Sequence, residues 1–168
     1  MSISEAVRRA SSYLTEHPEE ARYRDSSARA VLAAGLVVHV TGPGGEALTT
    51  DMPTGIGGTA TAPSPGWYLR AAEASCVVAL IAIRAAATGI TLDEAEVTVD
   101  SESDDRGILG LDSAIPAGAL SGRIVVSIRA PGRTPAELDE LARWAIDHCP
   151  VTDSVRRAVP LELDVRVG

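Results

Sequence analysis

The stretch Pro65-Gly-Trp-Tyr-Leu-Arg-Ala-Ala-Glu-Ala-Ser-Cys-Val-Val-Ala-Leu-Ile-Ala-Ile-Arg-Ala-Ala-Ala87 governs how the rest of the chain is read. It predicts one long helix. Proline suits a first helical turn, where its missing N–H would have had no partner, and Gly89 follows as a stop. Between Glu73 and Arg84 the uncharged run, residues 74–83, is ten residues long, whereas a bilayer span needs roughly 20. The segment is therefore a core helix, with Cys76 in its middle.

On the N-terminal side, residues 3–16 carry an amphipathic helical pattern with Ser2 or Ser4 as its cap. Residues 27–42 are rich in Val, Leu and Ala and end in Thr41-Gly-Pro-Gly-Gly45, a turn signal. Residues 46–50 then read as the returning strand of a hairpin, and 51–65, full of Pro, Gly and Ser, as irregular chain. On the C-terminal side, residues 94–101 alternate as a strand, 107–114 form a weaker one and 122–128 a clear one. Thr134 and Glu137 spell a capping box for a helix to about His148. Cys149-Pro150 restarts a short helix to Arg157, and 161–167 alternate apolar and polar residues as a closing strand. This order predicts an α+β fold with antiparallel sheet, without the regular βαβ alternation of a doubly wound fold. Residues 1–168 are expected to form one domain, with 1–26 as a helical extension.

Composition narrows the function classes. The chain has 168 residues, 45% of them apolar, which suits a globular core. Only 3% are aromatic and none is Phe, so aliphatic side chains must fill that core, a composition that often gains burial by oligomerising. A net charge of −8 speaks against nucleic acid and against an anionic membrane as partners. Every basic residue is Arg, so Schiff-base lysine chemistry is excluded. Residues 1–14 include Glu5, Arg8 and Arg9 and no apolar signal-peptide core. A cytoplasmic, reducing setting is expected, where two cysteines are free or redox-active rather than a structural bridge.

Cys76 alone reads as a small buried hydrophobe, made inert by burial. Cys149, before Pro150, reads in two ways: a cap for the new helix, or a thiol whose ionised form the helix end favours. His148 adjoins it in sequence. Glu73 sits one turn before Cys76, where a carboxylate would raise a neighbouring thiol's pKa; on the helix face it reads as solvated or facing Arg84. His17, His39 and His148 make no metal-ligand spacing with the cysteines, and Gly42–Gly45 lacks the Lys of a phosphate-binding loop. The acidic run 100–105 has no Ca²⁺-loop frame, and no G-x-S-x-G elbow is present. No metal and no cofactor are expected.

Residues 65–76, preceded by Asp51-Met-Pro and Gly57-Gly58, together with the downstream run 148–157 beginning His-Cys-Pro-Val, resemble the OsmC/Ohr family of osmotically inducible and organic hydroperoxide resistance proteins. The resemblance covers roughly 27–167, and the Asp-Met-Pro and Gly-Gly pattern is closer to the OsmC-like branch. It implies antiparallel sheets around a long central cysteine-bearing helix in an intertwined homodimer. It also implies thiol peroxidase chemistry in oxidative-stress defence, with a hydroperoxide as substrate. Cys76 would form a sulfenic acid, Cys149 would resolve it to a disulfide, and a cellular dithiol would reduce that. In peroxidatic members an Arg and a Glu hold the first cysteine ionised, the Glu directly after the helix-opening Pro. Here that position is Gly66, and no Arg lies between Ala30 and Leu69; Arg22, Arg24 and Arg29 lie further back. A non-enzymatic OsmC-like protein that binds a small molecule or senses redox state is the alternative.

Overall fold

The computed structural model describes residues 1–168. The chain divides into two compact units, 1–72 and 73–168.

The first unit opens with α1 (Ile3–Glu16), whose capping box is closed by Ser2 and Glu5. Three strands follow, β1 (Arg29–Ala34), β2 (Val37–Thr41) and β3 (Ala47–Thr50), paired antiparallel in that order. The run 27–42 is therefore two strands and not one. Its reversal falls at Gly35, whose φ of +59° an L side chain rarely adopts. The hairpin through residues 42–45 is as expected, and it pairs Thr41 with Ala47.

The loop after β3 is tied by one carboxylate. Asp51, buried, accepts from the Thr59 hydroxyl at 2.6 Å, from the Thr59 and Thr61 N–H groups at 3.1 and 3.0 Å, and from the Thr61 hydroxyl at 3.0 Å. These bonds, the Thr59 hydroxyl first, hold its pKa far below the usual carboxylate range. Gly58 is required here, since a Cβ would stand 1.8 Å from the Met52 carbonyl oxygen. The loop ends at α2 (Pro65–Ala87), and the division between the units falls inside this helix.

The second unit packs the rest of α2 with β4 (Glu94–Glu102), β5 (Ser121–Arg129), α4 (Pro135–Asp147) and α5 (Pro150–Arg156). Val77, Ile81 and Ala85 recur every fourth residue on α2, the spacing of one helix face, and are buried with Leu141 and Ala145 of α4 and with Cys149. Alternate residues of the paired strands, among them Ala95, Val97, Val126 and Ile128, pack against this cluster. Truncating the fully buried Ile81 to Ala would cost about 2–5 kcal/mol. α2 ends where the Ile90 N–H closes onto the Ala85 carbonyl at 2.8 Å.

Two expected strands are absent. Residues 107–114 instead follow the short α3 (Asp105–Ile108) as turns. The Asp104 carboxylate accepts from the Arg106 N–H at 3.0 Å and also holds the Arg106 guanidinium, fixing a helical turn. Residues 161–167 form no strand either, and Leu161, Leu163, Val165 and Val167 are 93, 88, 69 and 92% exposed. Alternation records the capacity to pair, but a strand also needs a neighbour to take its hydrogen bonds.

Candidate thiol site

Both cysteines lie in the second unit, and both are free thiols. Cys76 is on α2, one residue before the buried Val77, which leaves it at the margin of the buried face and half-buried. Cys149 ends the link from α4 to α5 and is wholly buried. Pro150 follows at the first helical position, where it wastes no donor. This sets Cys149 as the cap of α5, and its sulfur accepts from the Thr152 N–H at 3.4 Å.

The fold brings the two side chains close enough that each shifts the acidity of the other. Burial pushes the Cys76 thiol up, and the Cys149 sulfur pushes it further, both as hydrogen-bond partner and as a charge; the Val151 N–H pulls the other way. Burial also pushes Cys149 up. There the Thr152 hydroxyl and N–H, the Cys76 thiol and the Val151 N–H outweigh it, so the net shift is downward. The first proton therefore leaves Cys149, and the remaining one stays on Cys76 between the two sulfurs. Of the two readings of Cys149, the cap is seen in the Thr152 N–H bond, and the same donor favours the ionised thiol.

Glu73 corrects the sequence reading. It is 9% exposed rather than solvated, because it continues the buried row Val77, Ile81, Ala85 one turn earlier. It does not figure among the groups that set the Cys76 thiol, and nor does any cation. Arg84 does not face it: the guanidinium lies 4.8 Å from the centre of the Trp144 ring. His148 is stacked on the same ring, centroids 4.1 Å apart, with Nδ1 2.8 Å from the Trp144 carbonyl oxygen. His148 thus adjoins Cys149 in sequence while its imidazole is held by α4.

Sequence reasoning missed Thr152. It is 2% exposed, and its hydroxyl has no well-aligned hydrogen-bond partner. The available signal was its place three residues after a helix-capping cysteine, where a donor reaches back to the cap. The side chains that lie close enough to share a metal are His17, Glu19 and Glu20, at the surface of the first unit and away in sequence from both thiols. Between β5 and α4 lies an open groove of about 550 Å³ lined by Ile124, Val126, Ile128 and Leu138 together with Arg133 and the ion-paired Arg143 and Asp139.

Residues 58–164 match the family described as OsmC-like protein. Among solved structures, an OsmC-like protein from Mycoplasma pneumoniae superposes with a TM-score of 0.68 at 18% identity, over 80% of this chain and 89% of that one. A Legionella pneumophila structure, described as an organic hydroperoxide resistance protein OsmC and predicted redox protein, gives 0.60 at 22%, over 80% and 91%. The organic hydroperoxide resistance protein OhrB of Bacillus subtilis gives 0.53 at 18%, over 79% and 91%. At these identities the likeness is one of fold. Against the curated proteins no sequence matches. With the family match running through both cysteine segments and covering well over half of the sequence, the chain belongs to the OsmC-like proteins.

Proposed function

We propose that this chain is a thiol peroxidase acting on organic hydroperoxides in oxidative-stress defence, as a cytoplasmic homodimer, with Cys76 attacking and Cys149 resolving. The observation that supports this most is the thiol pair: one sulfur half-buried, the other wholly buried, adjacent and unequal in acidity.

The peroxide meets the singly ionised pair, in which Cys149 is the thiolate and Cys76 the thiol. Cys76 attacks the terminal oxygen of ROOH while its proton passes to the Cys149 sulfur. The O–O bond breaks, its electron pair leaves on RO⁻, and RO⁻ takes the proton from Cys149 to depart as the alcohol. The Cys149 thiolate then attacks the sulfur of the Cys76 sulfenic acid, the S–S bond forms and hydroxide leaves. A cellular dithiol returns both sulfurs to the reduced state. In this scheme Cys149 serves as the proton acceptor for Cys76, a part that takes on weight because Gly66 stands where peroxidatic relatives carry Glu.

The dimer reading draws on the exposed alternation of Leu161, Leu163, Val165 and Val167, and on β1, whose Val31 and Leu32 are also exposed. A second copy is the occupant that suits both, since apolar rows of this length are costly to leave in water.

The deciding experiment is the rate of thiol loss when cumene hydroperoxide is added to the reduced protein, with Cys76→Ser and Cys149→Ser beside it. Fast conversion to one intramolecular disulfide, abolished by Cys76→Ser, is the expected result. Oxidation no faster than that of free cysteine would end the peroxidase reading. The groove between β5 and α4 would then favour the second reading, a small-molecule-binding protein whose site is lined by apolar residues and ion-paired arginines.

A further inference from the structure

Thr152 Oγ1 is the one buried side-chain nitrogen or oxygen left without a hydrogen-bond partner. An orphaned buried hydroxyl costs about 1–3 kcal/mol, so native proteins rarely keep one where an apolar isostere would fit. Valine has the shape of threonine and lacks the hydroxyl, yet the site holds Thr. The residue's own N–H is already spent on the Cys149 sulfur, at 3.4 Å. Its hydroxyl lies beside that same sulfur and acts on it. A neutral thiol is a weak acceptor, whereas a thiolate is a strong one.

We infer that Thr152 is a positioning residue whose hydroxyl donates to Cys149 when that sulfur is the anion. The hydroxyl is unsatisfied in the protonated state and becomes satisfied on ionisation, so the two states of the pair differ by one charge-assisted hydrogen bond. Its place in catalysis rests on the peroxidase reading. There it would serve both when Cys149 attacks the sulfenic acid and when Cys149 leaves as a thiolate during reduction of the disulfide.

Other titratable groups near Cys149 have their own engagements. From α2 come Cys76, its direct partner, and the buried Glu73, while Arg84 lies over Trp144. From the end of α4 and from α5, His148 stacks on Trp144, Asp147 pairs with Arg156 and Asp153 with Arg157. The charged residues of β4 and β5 stand on the exposed alternation of those strands. None of these except Cys76 figures in what sets Cys149.

The test is the pH titration of thiolate ultraviolet absorbance in the reduced full chain, for the parent, Thr152→Val and Thr152→Ser, with thermal unfolding of each. Thr152→Val should raise the first midpoint by about one pH unit, a tenfold loss in ionisation constant. Thr152→Ser should return it to within a few tenths. The melting temperature of Thr152→Val at a pH below the first midpoint should be unchanged or higher, since an orphaned hydroxyl is removed. An unmoved midpoint in Thr152→Val overturns the assignment, as does a Ser variant that behaves like Val. If Thr152→Val does not fold, Thr152→Ala is read in the same way. No peroxide enters this measurement, so slow peroxide oxidation beside an intact Thr152 effect would remove the peroxidase reading and leave the thiolate assignment standing.

Discussion

The half-buried Cys76 thiol lies beside the fully buried Cys149, so an agent arriving from solvent meets one sulfur of the pair and not the other. Exposure and acidity are divided between them: Cys76 is reachable and holds its proton, while Cys149 is shielded and gives its proton up first. This division assigns directions to the chemistry that can be checked one at a time.

Reduction of a Cys76–Cys149 disulfide should begin at Cys76, with Cys149 as the leaving thiolate, because exchange is faster at an accessible sulfur and with the more acidic leaving group. In Cys149→Ser, the oxidised Cys76 should therefore trap a small monothiol as a stable mixed disulfide, visible by intact mass. Cys76→Ser should trap less than about a tenth as much under the same conditions, given its buried partner. Equal trapping by the two variants would contradict the assignment.

Gly66→Glu should stabilise the fold. The first turn of α2 contains no acidic residue, and a Cβ built at 66 meets only Arg70 Nη1 at 3.7 Å and Ser64 Oγ at 4.0 Å, so there is room. Replacing Gly inside a helix gains about 0.5–1 kcal/mol, and a carboxylate near the N-terminus adds about 0.3–1 kcal/mol. The expected outcome is a higher urea midpoint. An unchanged or lower midpoint would contradict it.

Asp51→Asn should loosen the loop between β3 and α2. The folded pKa of Asp51 is depressed by the Thr59 and Thr61 hydrogen bonds. Its contribution is therefore present above the unfolded carboxylate value of about 3.9 and is lost as pH falls through the lower folded value. The substitution should lower the melting temperature by several degrees at neutral pH, and the gap to the parent should narrow steadily under acid. Thermal unfolding followed by circular dichroism from pH 7 to pH 2 checks the sign.

Leu163→Asp combined with Val165→Asp should shift the chain from dimer to monomer in sedimentation at micromolar concentration. Both residues are exposed and lie on the same face of an extended segment. A parent protein that sediments as a compact monomer would end the dimer reading before any variant is made.

The helices were legible from local rules. The capping boxes at Ser2–Glu5 and Thr134–Glu137 and the Pro65 and Pro150 starts all lie where their local hydrogen bonds and φ preferences put them. The errors fell where a local pattern needed a distant partner or met a local competitor. Residues 161–167 alternate correctly but have no neighbouring strand. Residues 107–114 were claimed by Asp104 and the turn it caps. Glu73 looked solvated by residue type, yet its phase on α2 placed it in line with Val77 and Ile81.

Of the site, the residue order placed one thiol mid-helix and the other immediately before a helix-starting proline, and only the family resemblance singled both out as a reactive pair. It was silent on which sulfur keeps the proton. That depends on burial, on the contact between α2 and the start of α5, and on the Thr152 hydroxyl, and each of these arises only when segments distant in the chain are packed together. Electrostatic preference is a property of surroundings in space, so the chain order could place the two cysteines, and their unequal burial and acidity came with the tertiary fold.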